Sequence, residues 1–294
     1  MSKDVYIHAG AHRTGTSSLQ LCLAANRAVL HGAGFDLAYP GRDGIPDAQL
    51  KLGLPRGGVG AHRLPGFAKG MRDHLQTISP DEGRSLILSE ENIPGPMKHF
   101  YQGQFFPFAK NRLSALSQVF STRPKHVLYV IRRYDELFVS AYRKRAEDNA
   151  VPPFSELVPN FLNIAEAWPR LITEIRDTLN PEILTVIEYK ARGDSIGLLN
   201  RLVPRVSGLA LTEPEHSVNL SATDAALEVL QARYRAGKKF RRPKWKAVIA
   251  EHADQREPRG FAEFSSADQD VLHKKYQRDL AQIAEMEGLT FVSR

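Results

Sequence analysis

The residues best suited to chemistry stand at the start of the chain. Residues 5–9 (Val-Tyr-Ile-His-Ala) form a short β-rich run. It leads directly into Gly10-Ala11-His12-Arg13-Thr14-Gly15-Thr16-Ser17-Ser18, and a stretch of helical periodicity follows. A glycine- and hydroxyl-rich turn between a strand and a helix suits an anion. Successive backbone N–H groups point inward, and the helix N-terminus adds about half a positive charge. Against the nucleotide-binding pattern GxxxxGK[ST], Gly10 and Gly15 fall on the two glycines and Ser17 on the final hydroxyl, but Thr16 stands where lysine belongs. That lysine reaches the β- and γ-phosphates of a nucleoside triphosphate, and the cation within this turn is Arg13, three residues earlier. The turn is therefore expected to hold an anion but not to hydrolyse ATP or GTP. Its arginine and hydroxyls suit a shorter 5′-linked pair of tetrahedral groups. The plainer alternative is a glycine-rich turn that only starts a helix.

A second segment points the same way. The apolar run 126–131 ends in Arg132-Arg133, and Asp135-Glu136 can open a helix that carries Ser140, Tyr142, Arg143 and Lys144. A buried strand ending in arginine sets a guanidinium at the carboxyl edge of a sheet, where α/β folds bind ligands. A guanidinium fork suits phosphate oxygens, and a serine hydroxyl supplies a neutral donor beside it. Ser140, Arg143 and Lys144 share a helical face by their spacing. Taken alone, a segment of this kind is more often a solvated charged helix.

Together the two segments resemble the sulfotransferases that use 3′-phosphoadenosine 5′-phosphosulfate (PAPS). The sequence GAHRTGTSS is similar to that family's 5′-phosphosulfate loop. Arg132 and Ser140, eight residues apart after a strand, match its 3′-phosphate motif. The resemblance is closest to bacterial sulfotransferase-like proteins of carbohydrate type. It implies a three-layer α/β/α fold of P-loop type with a central parallel sheet. It also implies that the N–H groups of Thr14, Gly15, Thr16 and Ser17, with the Thr16 and Ser17 side chains, hold the 5′-phosphosulfate, and that Arg132 and Ser140 hold the 3′-phosphate. Arg13 stands where the family usually has the lysine that contacts the bridging oxygen. Arginine keeps the charge but does not readily give up a proton. The family's C-terminal glycine–tryptophan–lysine element has no counterpart in its usual form, and residues 235–246 are similar to it only superficially.

Sulfuryl transfer needs a base within hydrogen-bond reach of the acceptor hydroxyl. The run 86–89 ends in Ser89-Glu90-Glu91-Asn92 and delivers these residues to the same sheet edge. Within the resemblance, Glu91 aligns best with a glutamate base and Glu90 is the reserve. His12 beside the loop is a rival base, whereas His8 reads as a packed strand residue. Two adjacent glutamates also fit a solvated loop.

These residues need elements to position them. The four short apolar runs, 5–9, 86–89, 126–131 and 183–187, lack strict polar alternation, as expected of parallel strands buried on both faces. Helical periodicity lies between them: Leu19, Cys22, Leu23 and Leu30 share a face, with Gly32 and Gly34 as a stop, and Leu137, Phe138, Ala141 and Arg145 follow the third run. Leu272, Tyr276, Leu280 and Ile283 mark a long helix whose start is Ser265 or Ser266, with Asp268 or Gln269 completing a capping box. Alternating strands and helices argue for an α/β fold in one domain. Residues 40–66 break the pattern with seven glycines and four prolines. They read either as a lid or binding loop or as an irregular surface excursion.

Composition bounds the rest. In a chain of 294 residues, 42% hydrophobic and 25% charged side chains exclude a disordered or fibrous protein. No apolar stretch approaches the roughly 20 residues that span a bilayer. The opening residues MSKDVYIHAG carry no secretory pattern, and one cysteine, Cys22, allows neither an internal disulfide nor a thiolate zinc site. A cytoplasmic setting is expected, and with no HExxH-type spacing no metal is expected. Forty Lys+Arg against thirty-three Asp+Glu give +7, a balance that an anionic nucleotide accounts for without nucleic acid. Seven of the cations fall between Arg235 and Lys246, interleaved with Phe240 and Trp245. They fit an acidic glycan or the 3′-phosphate, equally nucleic acid or acidic lipid, or simply a solvated basic loop. The sequence thus favours a PAPS-dependent sulfotransferase acting on a hydroxyl or amine, with a carbohydrate as the expected acceptor. Two other readings remain: a degenerate P-loop kinase or NTPase, and a non-catalytic nucleotide- or polyanion-binding protein.

Overall fold

The short apolar runs pair into one sheet. The computed structural model describes residues 3–41, 44–165, 167–214 and 222–293. Its strands are β1 (Val5–His8), β2 (Phe35–Ala38), β3 (Ser85–Ser89), β4 (His126–Ile131), β5 (Ile183–Glu188) and β6 (Thr290–Val292). The first, third, fourth and fifth coincide with the expected runs, and the two short edge strands are additions. The order is β2-β3-β1-β4-β5-β6, every pairing parallel. β1 lies at the centre, so the turn that follows it opens midway along the carboxyl edge, the place where open α/β sheets bind ligands.

The helices cover both faces. α1 (Thr16–Ala25) and α2 (Arg27–Gly32) follow β1, α3 (Leu64–Ile78) leads into β3 and α4 (Ala109–Ser117) into β4. α5 (Tyr134–Ala146), α6 (Phe154–Leu162) and α7 (Trp168–Leu179) join β4 to β5, and α8 (Ser195–Leu202) follows β5. α9 (Asp224–Arg235) and α10 (Arg242–Glu251) form a hairpin, and α11 (Ser266–Ala284) precedes β6. Alternate strand residues feed opposite layers. Ile7, Leu88, Val127 and Val186 pack with Leu113, Leu137, Trp168 and Leu272, while Tyr6, Ile87, Leu128 and Ile187 pack with Leu19, Leu23, Leu198 and Leu202. This is a three-layer α/β/α architecture in which β1 to β4 are buried along their whole length.

Three local expectations are refined. The helix expected through Leu30 divides at Asn26, whose amide donates to the Cys22 and Thr212 carbonyls, both at 2.8 Å, and so competes with the helical ladder. Cys22 is fully buried, and that burial, with the Glu213 charge second, pushes its thiol up to about 12. Of the two candidate caps for α11, Ser265 takes the role, accepting from the Asp268 N–H at 3.1 Å. The 40–66 stretch, of which residues 42 and 43 lie outside the described residues, is irregular but tethered. Ile45, Leu50 and Leu54 are buried, the Leu50 N–H reaches the Tyr39 carbonyl at 3.0 Å, and Asn111 clasps both backbone groups of Val59 at 3.2 Å. The last residues of the stretch already belong to α3.

Candidate anion-binding site

β1 keeps its partners past its last residue: the Ala9 N–H reaches Leu128 O at 3.0 Å and the Ala11 N–H reaches Val130 O at 3.4 Å. The turn is thus anchored to β4 up to the point where it must reverse. Arg13 then takes φ +66° and Gly15 φ +85°, with Thr14 between them outside the left-handed region. Alternation of this kind turns successive N–H groups toward one side and forms an anion-binding concavity. Arg13 in that conformation stores on the order of 1–3 kcal/mol of strain. Thr14 turns its hydroxyl inward to the Ala11 carbonyl at 2.5 Å, closing the turn from below. Thr16 opens α1 and is 4% exposed, and its hydroxyl has no hydrogen-bond partner among the described residues. A buried hydroxyl left unsatisfied at a helix N-terminus has room in its bonding for a ligand oxygen or an ordered water.

The second motif closes on the first. Arg132 donates through Nη1 to the Arg13 carbonyl at 2.7 Å, and Arg13 donates through Nε to the Ser140 hydroxyl at 2.8 Å. Arg13 is therefore the node that joins the turn to the strand–helix motif. Arg132 is fixed from three further sides: Glu136 accepts from its Nε at 3.1 Å, the Tyr189 ring lies 4.7 Å from its guanidinium carbon, and the Trp168 indole N–H holds its carbonyl at 3.0 Å.

The acidic pair lies beside the turn, because β3 runs alongside β1 with His8 opposite Ser89. Glu90 is 3% exposed. Its N–H donates to the His8 carbonyl, its carboxylate accepts from the Asn92 N–H at 2.7 Å, and its charge acts on Arg112. Arg112 ties this corner together by donating to the carbonyls of Ile93, Asn92 and Pro55. Burial draws its guanidinium down to about 10, partly offset by Glu90. Glu90 is thus built into the scaffold, while Glu91 and His12 are half-exposed beside it. His8 is fully buried under Gly10 and hydrogen-bonds Ser89 at 3.0 Å, its Nε2 without a partner among the described residues. Burial first, and the Arg192 charge second, pull His8 down to about 3, so it is neutral at pH 7.

Two residues grouped with Ser140 by helical spacing turn elsewhere. Arg143 binds the Asp224 carboxylate and the Ala222 carbonyl, and Lys144 binds Glu147 at 2.6 Å and lies 5.4 Å from the Trp245 ring. They fasten α5 to the α9–α10 hairpin, because a shared helical face says nothing of which neighbour that face meets. All seven cations of 235–246 are exposed around a small separate core of Leu230, Tyr234, Trp245 and Val248.

One residue escaped the sequence reading. Arg192 follows β5, and its guanidinium lies against Gly15. A Cβ built on Gly15 would overlap its Nη1 and come within 2.6 Å of its Cζ. Arg192 shares the Tyr189 ring with Arg132, 5.6 Å from the centroid. No motif marks it, and only the adjacency of sheet loops brings it to the turn.

No family model matches the chain, and no curated protein matches it. Among the described residues, no group of three or more His, Cys, Asp or Glu is placed to hold a metal, and no helix is long and apolar enough to cross a membrane.

Proposed function

We propose that this chain is a PAPS-dependent sulfotransferase acting on a hydroxyl or amine of an acceptor, with a carbohydrate the favoured class. The observation that carries the reading is the direct linkage of Arg132, Arg13 and Ser140 at a turn whose buried Thr16 hydroxyl is unsatisfied among the described residues. That donor-rich surface fits a nucleotide with anionic groups at both its 3′ and 5′ ends. The donor supplies an activated sulfuryl group, whose bond to the phosphate oxygen breaks as the acceptor oxygen bonds to sulfur.

The chain's residues do the remainder. Arg132 and Ser140 would grip the 3′-phosphate. The N–H groups of residues 14–17, with the Thr16 and Ser17 hydroxyls, would grip the 5′ end. Arg13, which replaces the lysine of the resemblance and reaches toward Ser140, does not readily donate a proton, so the departing phosphate leaves as the anion. The acceptor proton passes to Glu91, which is half-exposed while Glu90 is committed to Asn92 and Arg112. His12 is the alternative base. The single buried thiol of Cys22 suits a reducing, cytoplasmic setting.

Thermal-shift titration tests the reading. Adenosine 3′,5′-bisphosphate should stabilise the protein, ATP with magnesium should not, and labelled sulfate should pass from the donor to a glycan. Equal stabilisation by ATP–magnesium would favour a nucleotide kinase or NTPase. Stabilisation by the bisphosphate without any transfer would favour a binding protein.

A further inference from the structure

We propose that Arg192 is the cation of the 5′-anion pocket, supplying from the loop after β5 the positive charge that lysine supplies within the GxxxxGK[ST] turn. The inference rests on reading the turn as an anion site and goes further by assigning a separate arginine to each end of the nucleotide.

Four observations carry it. Thr16 occupies the lysine position, so the start of α1 brings no cation of its own. Arg13 is drawn across the turn toward Ser140 and Arg132. Arg192 lies against the turn itself, its guanidinium packed on the Gly15 Cα, where only glycine leaves room for it. Its Nη1 is buried with no hydrogen-bond partner, and no carboxylate pairs with it among the described residues. The nearby acids are engaged elsewhere: Asp194 caps α8 through the Gly197 N–H at 2.7 Å, and Glu213 accepts from the Ser195 and Ile196 N–H groups.

An uncompensated, partly buried guanidinium beside inward-facing N–H groups is a strong anion receptor, because each hydrogen bond it makes is charge-assisted and short of competing water. Tyr189 orients the pair of arginines. Its ring carries Arg132 at 4.7 Å and Arg192 at 5.6 Å, so one aromatic side chain sets the spacing of the two cations. Buried His8, lowered in part by the Arg192 charge, stays neutral beneath the turn and adds no repulsion.

The test is calorimetric titration of adenosine 5′-monophosphate, adenosine 3′-monophosphate, the 3′,5′-bisphosphate and inorganic pyrophosphate into wild type, Arg192→Gln, Arg192→Lys and Arg132→Ala, with circular dichroism to verify folding. Arg192→Gln should weaken the bisphosphate and the 5′-monophosphate by about ten- to a hundredfold, the range that loss of charge-assisted bonds gives, and leave the 3′-monophosphate within about twofold. Arg192→Lys should recover part of the loss, and Arg132→Ala should show the reverse selectivity. Unchanged 5′ affinity in a folded Arg192→Gln protein, or equal losses for both monophosphates, would overturn the assignment. If wild type binds pyrophosphate but no nucleotide, and Arg192→Gln loses the pyrophosphate, the sulfotransferase reading fails while the role of Arg192 stands. If wild type binds none of the four, both fail.

Discussion

Two regions of this protein concentrate arginine and lysine, and they are built in opposite ways. In the α9–α10 hairpin, seven cations stand exposed around a satellite core, close in sequence and free to be screened by salt. At the carboxyl edge of the sheet, three arginines come from three separate connections. They are half-buried and each is held by neighbours: Arg13 through Ser140, Arg132 through Glu136 and Tyr189, Arg192 through Gly15 and Tyr189. Charge density along the chain draws the eye to the hairpin. On the proposed reading, fixed direction and partial desolvation would make the sheet edge the stronger receptor for a small anion.

The largest difference should show in turnover. Glu91→Gln is expected to lower sulfuryl transfer by about a hundredfold or more, the usual contribution of a general base, with bisphosphate affinity kept within about twofold. Unchanged turnover would move the base to Glu90 or His12. Next come two glycines of positive φ. Gly15→Ala combines a strained conformation with overlap onto Arg192, so bisphosphate binding should fall by about a hundredfold, read by calorimetry. Gly237→Ala, at φ +77° with open space around it, should cost about 1 kcal/mol of stability in urea titration and leave binding intact. A comparable binding loss at Gly237 would erase the contrast. Replacing Lys238, Lys239, Lys244 and Lys246 together with glutamine removes four charges, yet should weaken the bisphosphate by less than about threefold. Arg132→Ala, removing one charge, should weaken it by about tenfold or more. Equal effects would mean that net charge, not geometry, governs affinity.

A separate effect, read in stability and not in binding, is a pH dependence. Burial holds His8 neutral down to about pH 3, whereas in the unfolded chain it takes up a proton near 6.5. The unfolded state binds more protons in that window, so His8 makes stability fall as pH drops from about 6.5 toward 3, by at most about 1.4 kcal/mol per pH unit. Urea midpoints at pH 7 and pH 5 should converge in His8→Gln relative to wild type. An identical pH dependence in the variant would show that another group dominates.

Much of this was legible in the sequence because the signals are local. β1, β3, β4 and β5 announce themselves as apolar runs, and the glycine–hydroxyl turn and the Arg132–Ser140 spacing each lie within a dozen residues. β2 and β6 did not, since Phe-Asp-Leu-Ala and Thr-Phe-Val are too short for periodicity to register and gain strand character only by pairing at the sheet edges. Long-range placement was equally hidden. Arg143 and Lys144 share a helical face with Ser140, but Asp224, Glu147 and Trp245 claim them. Arg192 sits in Tyr-Lys-Ala-Arg-Gly-Asp, which carries no motif, and reaches Gly15 only because β4 alone separates β5 from β1 in the sheet.

On the proposed reading, the turn after β1 and the Arg132–Ser140 motif grip opposite ends of one nucleotide. Calorimetric comparison of adenosine 3′,5′-bisphosphate with adenosine 5′-monophosphate on the wild-type protein tests it most directly. One bisphosphate should bind per chain, at least about tenfold more tightly than the monophosphate, as charge-assisted contacts to the 3′-phosphate require. Equal affinity for the two, or no binding of the bisphosphate, would contradict it.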